Sequence, residues 1–274
     1  MTATTLIVGA NGKTGLRVSR KLSEVGYPVR AVSRSTVPAF DWHQPEDWAA
    51  VMDGCEQAYV SFQPDLAIPA AEEAIRLFIA QARESGVRHL VLLSGRGEDG
   101  ARQAEQQLIN SGLSWNVVRA SWFAQNFSEG FLVDGILRGQ LALPAADVPE
   151  PFIDVDDIAD VAVACLTRTT LHNRLFEVTG PELLTFAECV QMIANTLQRP
   201  LDFTAISAEQ FLQGLAEQGM PDDLLWLMNE LFTQVMDGRN SRVEHGVEQA
   251  LGRPATSFSD YVKKTAQAGS WSVA

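Results

Sequence analysis

The stretch Thr5-Leu6-Ile7-Val8-Gly9-Ala10-Asn11-Gly12-Lys13-Thr14-Gly15 decides the fold. A short apolar run of β-rich texture leads into three evenly spaced glycines, and a helical pattern with Val18, Leu22 and Val25 on one face follows them. A further β-rich run, Val29-Arg30-Ala31-Val32, closes a strand-turn-helix-strand unit, which is the context a dinucleotide fingerprint requires. In that setting Gly9 makes the tight turn, Gly12 lets a pyrophosphate approach the backbone, and Gly15 lets the helix pack on the strand. The helix start contributes N–H groups and the positive end of its dipole, with Asn11, Lys13 and Thr14 beside them. The plain alternatives are an ordinary strand-loop-helix turn and, for Lys13, an exposed lysine at a helix start.

Along the rest of the chain, β-rich runs at 58–61, 89–93, 115–118 and 175–178 alternate with helical patterns at 13–25, 66–85 and 101–110. That alternation means βαβ units, and runs such as Leu90-Val91-Leu92-Leu93, apolar on both faces, suit a parallel sheet covered on both sides. Gly26, Gly86 and Gly112 fall just after helical stretches, where a left-handed cap is wanted. Beyond Phe123, Pro144, Pro149, Pro151 and Pro181 punctuate the chain, and 184–236 reads as almost wholly helical. The expected architecture is α/β: a Rossmann-type doubly wound parallel sheet, with a small, mainly helical C-terminal substrate region. Residues 1–150 are expected to form the cofactor-binding domain, and 151–274 the remaining sheet strand plus the helical region, integrated with the first part rather than independent.

The chain has 274 residues, of which 46% are hydrophobic and 20% charged, as in a folded globular protein of one large or two modest domains. A net charge of −13 is the wrong sign for nucleic acid or an anionic membrane surface. The first 35 residues run the other way, with Lys13, Arg17, Arg20, Lys21, Arg30 and Arg34 against Glu24 alone, which favours a phosphorylated ligand there. Cys55, Cys165 and Cys189 are too few and scattered for a disulfide framework and read as core thiols. No signal peptide and no membrane-length apolar run is seen, so a cytoplasmic location is expected.

The second strand ends Val32-Ser33-Arg34-Ser35, and Arg34 lies 19 positions after Gly15, where an NAD-selective site would place an acid for the ribose 2′-hydroxyl. A guanidinium with neighbouring hydroxyls is what a 2′-phosphate needs, so the cofactor expected is NADP(H); a solvated arginine at a strand end is the alternative.

With Gly9, Gly12 and Gly15 and Ser33-Arg34-Ser35, four more segments carry a resemblance: Phe40-Asp41-Trp42, Arg119-Ala120-Ser121-Trp122-Phe123-Ala124-Gln125-Asn126-Phe127, Phe152-Ile153-Asp154-Val155-Asp156-Asp157-Ile158-Ala159, and Thr179-Gly180-Pro181-Glu182. The sequence resembles the NmrA-like atypical short-chain dehydrogenases/reductases, nearest the festuclavine- and agroclavine-type reductases, with bacterial quinone and triphenylmethane reductases as cousins. The resemblance implies that Asp41 and Trp42, following a third strand, border the adenine. It places Ser61, Phe62, Gln63 and Pro64 at the end of the fourth strand beside ribose and nicotinamide, and Ser94, Gly95 and Arg96 at the end of the fifth. Ser94, Arg96 and Trp122 are the candidate catalytic residues, and Ser61, Phe62, Gln63, Ser94 and Trp122 join the cofactor-binding set.

Ordinary short-chain dehydrogenases use a Tyr-x-x-x-Lys pair as general acid, yet four positions after Tyr27, Tyr59 and Tyr261, the only tyrosines, lie Ala31, Gln63 and Thr265. An iminium, a quinone or another activated conjugated double bond needs less help from an acid than an unactivated ketone does. The expected activity is therefore NADP(H)-dependent reduction of such an acceptor, a small molecule of apolar or aromatic character. The alternatives are a redox sensor of the NmrA kind without turnover, and a non-redox epimerase or cyclase on the same fold. Trp122, Phe123, Phe127, Trp226, Leu227 and Phe232 are candidates to wall a flat substrate, with core packing as the alternative. Asp154, Asp156, Asp157 and Asp160 read as helix-capping acids rather than metal ligands, and Glu105, at a place where some relatives of the family also carry Glu, reads as a solvated helix residue with a site role as the alternative. The four histidines have no metal-ligand spacing, so no metal is expected, and the protein is expected to be a monomer or homodimer.

Overall fold

The structure, a computed structural model, describes residues 4–144 and 147–272. Its strands are β1 (Thr4–Val8), β2 (Val29–Val32), β3 (Cys55–Val60), β4 (His89–Gly95), β5 (Ser114–Ala120), β6 (Gln140–Leu143), β7 (Arg174–Val178) and β8 (Asp202–Ala205). Six of them form a parallel sheet in the order β2-β1-β3-β4-β5-β7, while β6 and β8 pair in a second, two-stranded sheet. The helices are α1 (Lys13–Glu24), α2 (Trp48–Met52), α3 (Ala71–Glu84), α4 (Asp99–Ile109), α5 (Asn126–Glu129), α6 (Val133–Arg138), α7 (Val155–Thr167), α8 (Phe186–Leu197), α9 (Ala208–Glu217), α10 (Asp222–Glu230), α11 (Gly246–Leu251) and α12 (Phe258–Gln267). No described helix is long and apolar enough to cross a membrane.

Two compact units share the chain. The first runs to Ala120 and takes in Val155–Val178 and Gly246–Arg253; the second comprises Ser121–Asp154, Thr179–His245 and the chain from Pro254. The first unit thus acquires β7, α7 and α11 after the chain has already entered the second.

In the first unit the doubly wound parallel sheet is as expected. Leu6, Ile7 and Val8 are fully buried, as are Val18 and Leu22 of α1. Val8 lies level with Val32 on one side and Val60 on the other, so three carboxyl ends finish together where the strand order reverses. That reversal is where open α/β sheets place their ligand crevice. Gly26, Gly86 and Gly112 have φ of +81°, +86° and +78°, the left-handed caps the sequence suggested. The helix expected from 66 starts only at Ala71, because Leu66 to Ala70 fold into turns.

Acids of α7, expected to cap it, are engaged in ion pairs. Asp156 accepts from Arg17 Nε at 3.0 Å and Asp160 from Lys21 Nζ at 2.6 Å, clamping α7 to α1. Arg253 binds Asp157 at 2.7 Å and Asp160 at 2.6 Å. Arg30 donates to the carbonyls of Val51 and Asp53 at 2.9 and 2.5 Å, and Arg20 pairs with Glu24. Of the positive excess in the first 35 residues, the charges of Arg17 and Lys21 are thus paired with acids of α7 rather than offered to a ligand.

The second unit is held by an aromatic core including Phe127, Phe152, Phe186, Phe258 and Trp271. Trp271 Nε1 donates to the Phe127 carbonyl at 2.9 Å, which pins the end of the described chain. Thr185 with Glu188, and Ser207 with Gln210, form capping boxes on α8 and α9. The region from 184 to 236 is less uniformly helical than expected, since β8 interrupts it to pair in parallel with β6.

At the amino end of the main sheet, His89 and His172 stack with ring centroids 3.8 Å apart, and the Ser114 hydroxyl lies 2.9 Å from both Nδ1 atoms. Its single hydrogen can serve only one ring, so the other ring donates to the serine oxygen. Burial, then the neighbouring imidazole, push His89 down to about 4, and burial lowers His172. Both rings therefore bind protons more readily once unfolded. Stability is then full above the ordinary histidine range and falls as pH drops from about 6.5 towards about 4, by at most ~1.4 kcal/mol per pH unit for His89, and His172 adds in the same direction. Urea denaturation of wild type and His89→Asn at pH 7, 6 and 5 checks this: the wild type should lose stability more steeply, and parallel losses contradict it.

Candidate functional site

The turn after β1 is built on missing side chains. Gly9 has φ +81°, and a Cβ on it would lie 3.2 Å from Ser61 Cβ, so the ends of β1 and β3 touch directly. A Cβ on Gly15 would stand 2.2 Å from the Gly9 carbonyl oxygen, which places α1 hard against the end of β1. Gly12 donates to that same carbonyl at 2.9 Å and caps α1 without a side-chain bond; a Cβ there would lie 3.6 Å from Gln63 Nε2. The first turn of α1 carries no acid. The result is a side-chain-free turn at a helix start with no acid beside it, the kind of place that suits an anion such as a pyrophosphate.

Beside it, Ser33 to Thr36 form a turn with Arg34 and Ser35 at its tip. The Thr36 hydroxyl accepts from Ser33 N at 2.8 Å, and Ser33 O accepts from Thr36 N and Phe40 N at 3.3 and 2.9 Å. Arg34 is exposed and, among the described residues, has no ion-pair partner. Asn11 Nδ2 reaches Ser33 Oγ and Ser35 Oγ, each at 2.9 Å. The fingerprint turn and the Arg34 turn are thus joined by a side-chain bridge.

Asp41 and Trp42 do not follow a strand. The backbone donors of this segment are used locally, by Phe40 N on Ser33 O and by His43 N on the Asp41 carboxylate, so 33–42 makes no ladder, and β3 and β4 are the strands that end at Ser61 and Ser94. Trp42 is half-buried with its ring 4.7 Å from Phe62 and 5.0 Å from Phe40, in a cluster completed by Trp48 and Phe78. Asp41 O accepts from Trp48 Nε1 at 2.8 Å, so this loop is fixed from within.

Ser94, Arg119 and Glu177 stand at matching register on β4, β5 and β7. Glu105 of α4 closes over them: it accepts from Ser94 Oγ at 2.6 Å and from Arg119 Nε at 2.9 Å, and makes a second bond to the same guanidinium. Arg119 also reaches Glu177 at 3.5 Å, and Glu177 accepts from Arg96 Nε at 2.6 Å. Glu105 is completely buried, contrary to the solvated helix face expected of it, because it shares the inward face of α4 with Ala101, Ala104 and Leu108. Arg119 and Glu177 were missed as site residues; the spacing of Glu105 from Ala101 and Leu108 was the signal available in the sequence. Arg96 is buried in this network, and the Ser94 hydroxyl hydrogen is spent on Glu105, leaving its lone pairs as what the residue offers a ligand.

Nearby, the Glu98 carboxylate lies where a Gly95 side chain would begin, 2.1 Å from that Cβ position. It is hydrogen-bonded to Asp65, whose carboxyl is pushed above its ordinary range chiefly by burial.

Tyr59 is fully buried within β3, and burial raises its hydroxyl; Tyr261 is buried, raised likewise, and donates to Ser128 at 2.8 Å. Tyr27 precedes β2 at the amino edge of the sheet. The three cysteines are free and buried, with Cys165 pushed up to about 12 by burial. Among the described residues no group of three His, Cys, Asp or Glu side chains is placed to hold a metal ion.

In the second unit Trp122 is half-buried, packed edge-on to Phe186 at 5.5 Å and tilted to Phe232 at 5.2 Å. Phe127, Leu227 and Phe232 are buried core residues, whereas Trp226 is 41% exposed. Of the proposed aromatic wall, then, Trp122 and Phe232 are together and Phe127 serves packing.

Residues 9–169 match the sequence family described as NAD(P)H-binding. The chain is 29% identical to an NAD(P)H azoreductase of Xenophilus azovorans, over 96% of this chain and 98% of the relative. It is 31% identical to an agroclavine dehydrogenase of Claviceps fusiformis, over 94% and 96%. Among solved structures, the triphenylmethane reductase of Citrobacter sp., complexed with NADP(H), superposes with a TM-score of 0.81 at 16% identity, covering 96% of this chain and 99% of that one.

Proposed function

Because the chain belongs to the NAD(P)H-binding family, we propose that it is an NADP(H)-dependent reductase of an iminium, a quinone or another activated, conjugated double bond. The observation that carries the cofactor reading is the exposed Arg34 turn, flanked by two hydroxyls, joined to a glycine cradle at the strand-order reversal. The backbone around Gly9, Gly12 and Gly15, with Lys13 and Thr14, holds the pyrophosphate. Ser33, Arg34 and Ser35 hold the 2′-phosphate, and Asp41 and Trp42 border the adenine. Ser61, Phe62 and Gln63 line the ribose side.

Bound NADPH supplies the hydride. The chain's part is to hold donor and acceptor in register and keep water out. Ser94 serves by accepting a hydrogen bond, and Arg96 acts through the buried network rather than as an exposed charge. Trp122 is our candidate contact for an aromatic acceptor. The lack of an available tyrosine favours acceptors whose reduction neutralises or spreads charge, and the azoreductase and agroclavine dehydrogenase relatives support that choice of acceptor.

Arg34→Ala should weaken NADPH binding about 10- to 100-fold, the ~1.5–3 kcal/mol expected for hydrogen bonds to a charged group, while NADH binding changes little. Fluorescence titration with both cofactors measures it, and a wild-type protein with equal affinities would defeat the assignment. Turnover is tested by NADPH oxidation with quinones, cyclic iminiums, azo compounds and cationic dyes. Tight binding without turnover on any of them would favour a sensor.

A further inference from the structure

We propose that Asn11 is a positioning residue for cofactor selectivity, which turns the hydroxyls of Ser33 and Ser35 into outward hydrogen-bond donors for the 2′-phosphate. The inference rests on the NADP(H) reading of the Arg34 turn and adds to it a residue from a different loop.

Asn11 Nδ2 has two hydrogens, and both are used, one on Ser33 Oγ and one on Ser35 Oγ at 2.9 Å each. Ser33 Oγ also accepts from Ser35 N at 3.3 Å, which fills its lone pairs. Its hydroxyl hydrogen therefore points either to Ser35 Oγ, 3.2 Å away, or out of the cluster. In the first case Ser35 has accepted twice and its own hydrogen points out; in the second, both serines are free to donate. Either way the pair presents at least one O–H to an acceptor outside, and it does so next to Arg34.

Without Asn11 the serines can satisfy each other or the backbone, and a hydroxyl is indifferent between donating and accepting. With Asn11 it is biased towards anions. Asn11, Arg34 and Ser35 are exposed and Ser33 half-buried, so the donors are reachable. No carboxylate is hydrogen-bonded to any of the four among the described residues, so nothing within the cluster competes for them. Thr36 holds the turn from behind, bonded to Ser33 N at 2.8 Å, and the donors are oriented before a ligand arrives. Because Asn11 sits between Gly9 and Gly12, the same short loop sets both the pyrophosphate cradle and this one.

The test is a double-mutant cycle read by binding: NADPH, NADH and adenosine 2′-monophosphate are titrated into wild type, Asn11→Ala, Ser33→Ala/Ser35→Ala and the triple variant. Asn11→Ala should weaken NADPH and adenosine 2′-monophosphate about 3- to 10-fold, the size of one or two ordinary hydrogen bonds, and leave NADH within about 2-fold. In the Ser33→Ala/Ser35→Ala background the same substitution should have almost no effect. Retained NADH binding shows that the loop still folds. Equal losses for NADPH and NADH, or an Asn11→Ala effect undiminished without the serines, overturn the proposal. A wild-type preference for NADPH that Asn11→Ala leaves intact overturns this inference alone, whereas no wild-type preference at all overturns the Arg34 reading with it.

Discussion

Gly15→Ala should abolish cofactor binding and cost about 3 kcal/mol of stability, the upper part of the range for forcing an extra methyl into a packed site. The added Cβ would lie 2.2 Å from the Gly9 carbonyl oxygen and 2.8 Å from its carbon, and both are backbone atoms. Neither side can recoil. Gly9 already abuts Ser61, and α1 is clamped through Arg17 and Lys21 to α7. Helix propensity predicts the opposite sign, a gain of up to about 1 kcal/mol for replacing glycine by alanine within a helix. Gly214, inside α9 with nothing near its Cβ position, is the control where that gain should be seen. Urea denaturation of both variants, with NADPH titration of the first, decides the matter. A Gly15→Ala protein as stable as wild type and binding within about 2-fold would show that the turn is not the close contact described.

Glu105→Ala should cost about 3–5 kcal/mol, the loss expected when one partner of a buried ion pair is removed and the other stays behind. Arg119 would keep Glu177 at 3.5 Å, but its two bonds to Glu105 would be gone and the Ser94 hydroxyl would lose its acceptor. Glu105→Gln preserves shape and can still accept from Ser94, so it should cost less. Glu105→Ala combined with Arg119→Ala should cost less than the sum of the two, because the stranded charge goes with its partner. Denaturation midpoints of the four proteins test this; additive losses, or a cost below about 1 kcal/mol for Glu105→Ala, would mean that the network does not act as a unit.

The sheet and the fingerprint turn were legible because their signals are local: a short apolar run, three glycines at a fixed interval and a 3.6-residue stripe. β6 and β8 were not, since Gln140-Leu141-Ala142-Leu143 alternates over only four residues and Asp202-Phe203-Thr204-Ala205 is mostly exposed. Asp41 and Trp42 were expected to follow a third strand, as the resemblance implies, whereas the backbone donors of that segment close turns instead. The buried charges were hidden for another reason. Glu105 looks like any helix-face acid until Arg119 and Ser94 are brought to it from neighbouring strands, and Arg17 and Lys21 look available until Asp156 and Asp160 are seen to pair with them.

The clamp between α1 and α7 also bears on how the chain must be assembled. Its two ion pairs each span 139 positions, and the Arg253 contact to Asp160 spans a further 93. A ribosome that has released residues up to 150 has delivered five strands of the main sheet, but neither the edge strand β7 nor the helix that neutralises Arg17 and Lys21. The nucleotide cradle is encoded in the first 35 residues, yet its supporting helix gains its partners only late in synthesis, so this βα unit depends on long-range loop closure despite its local appearance.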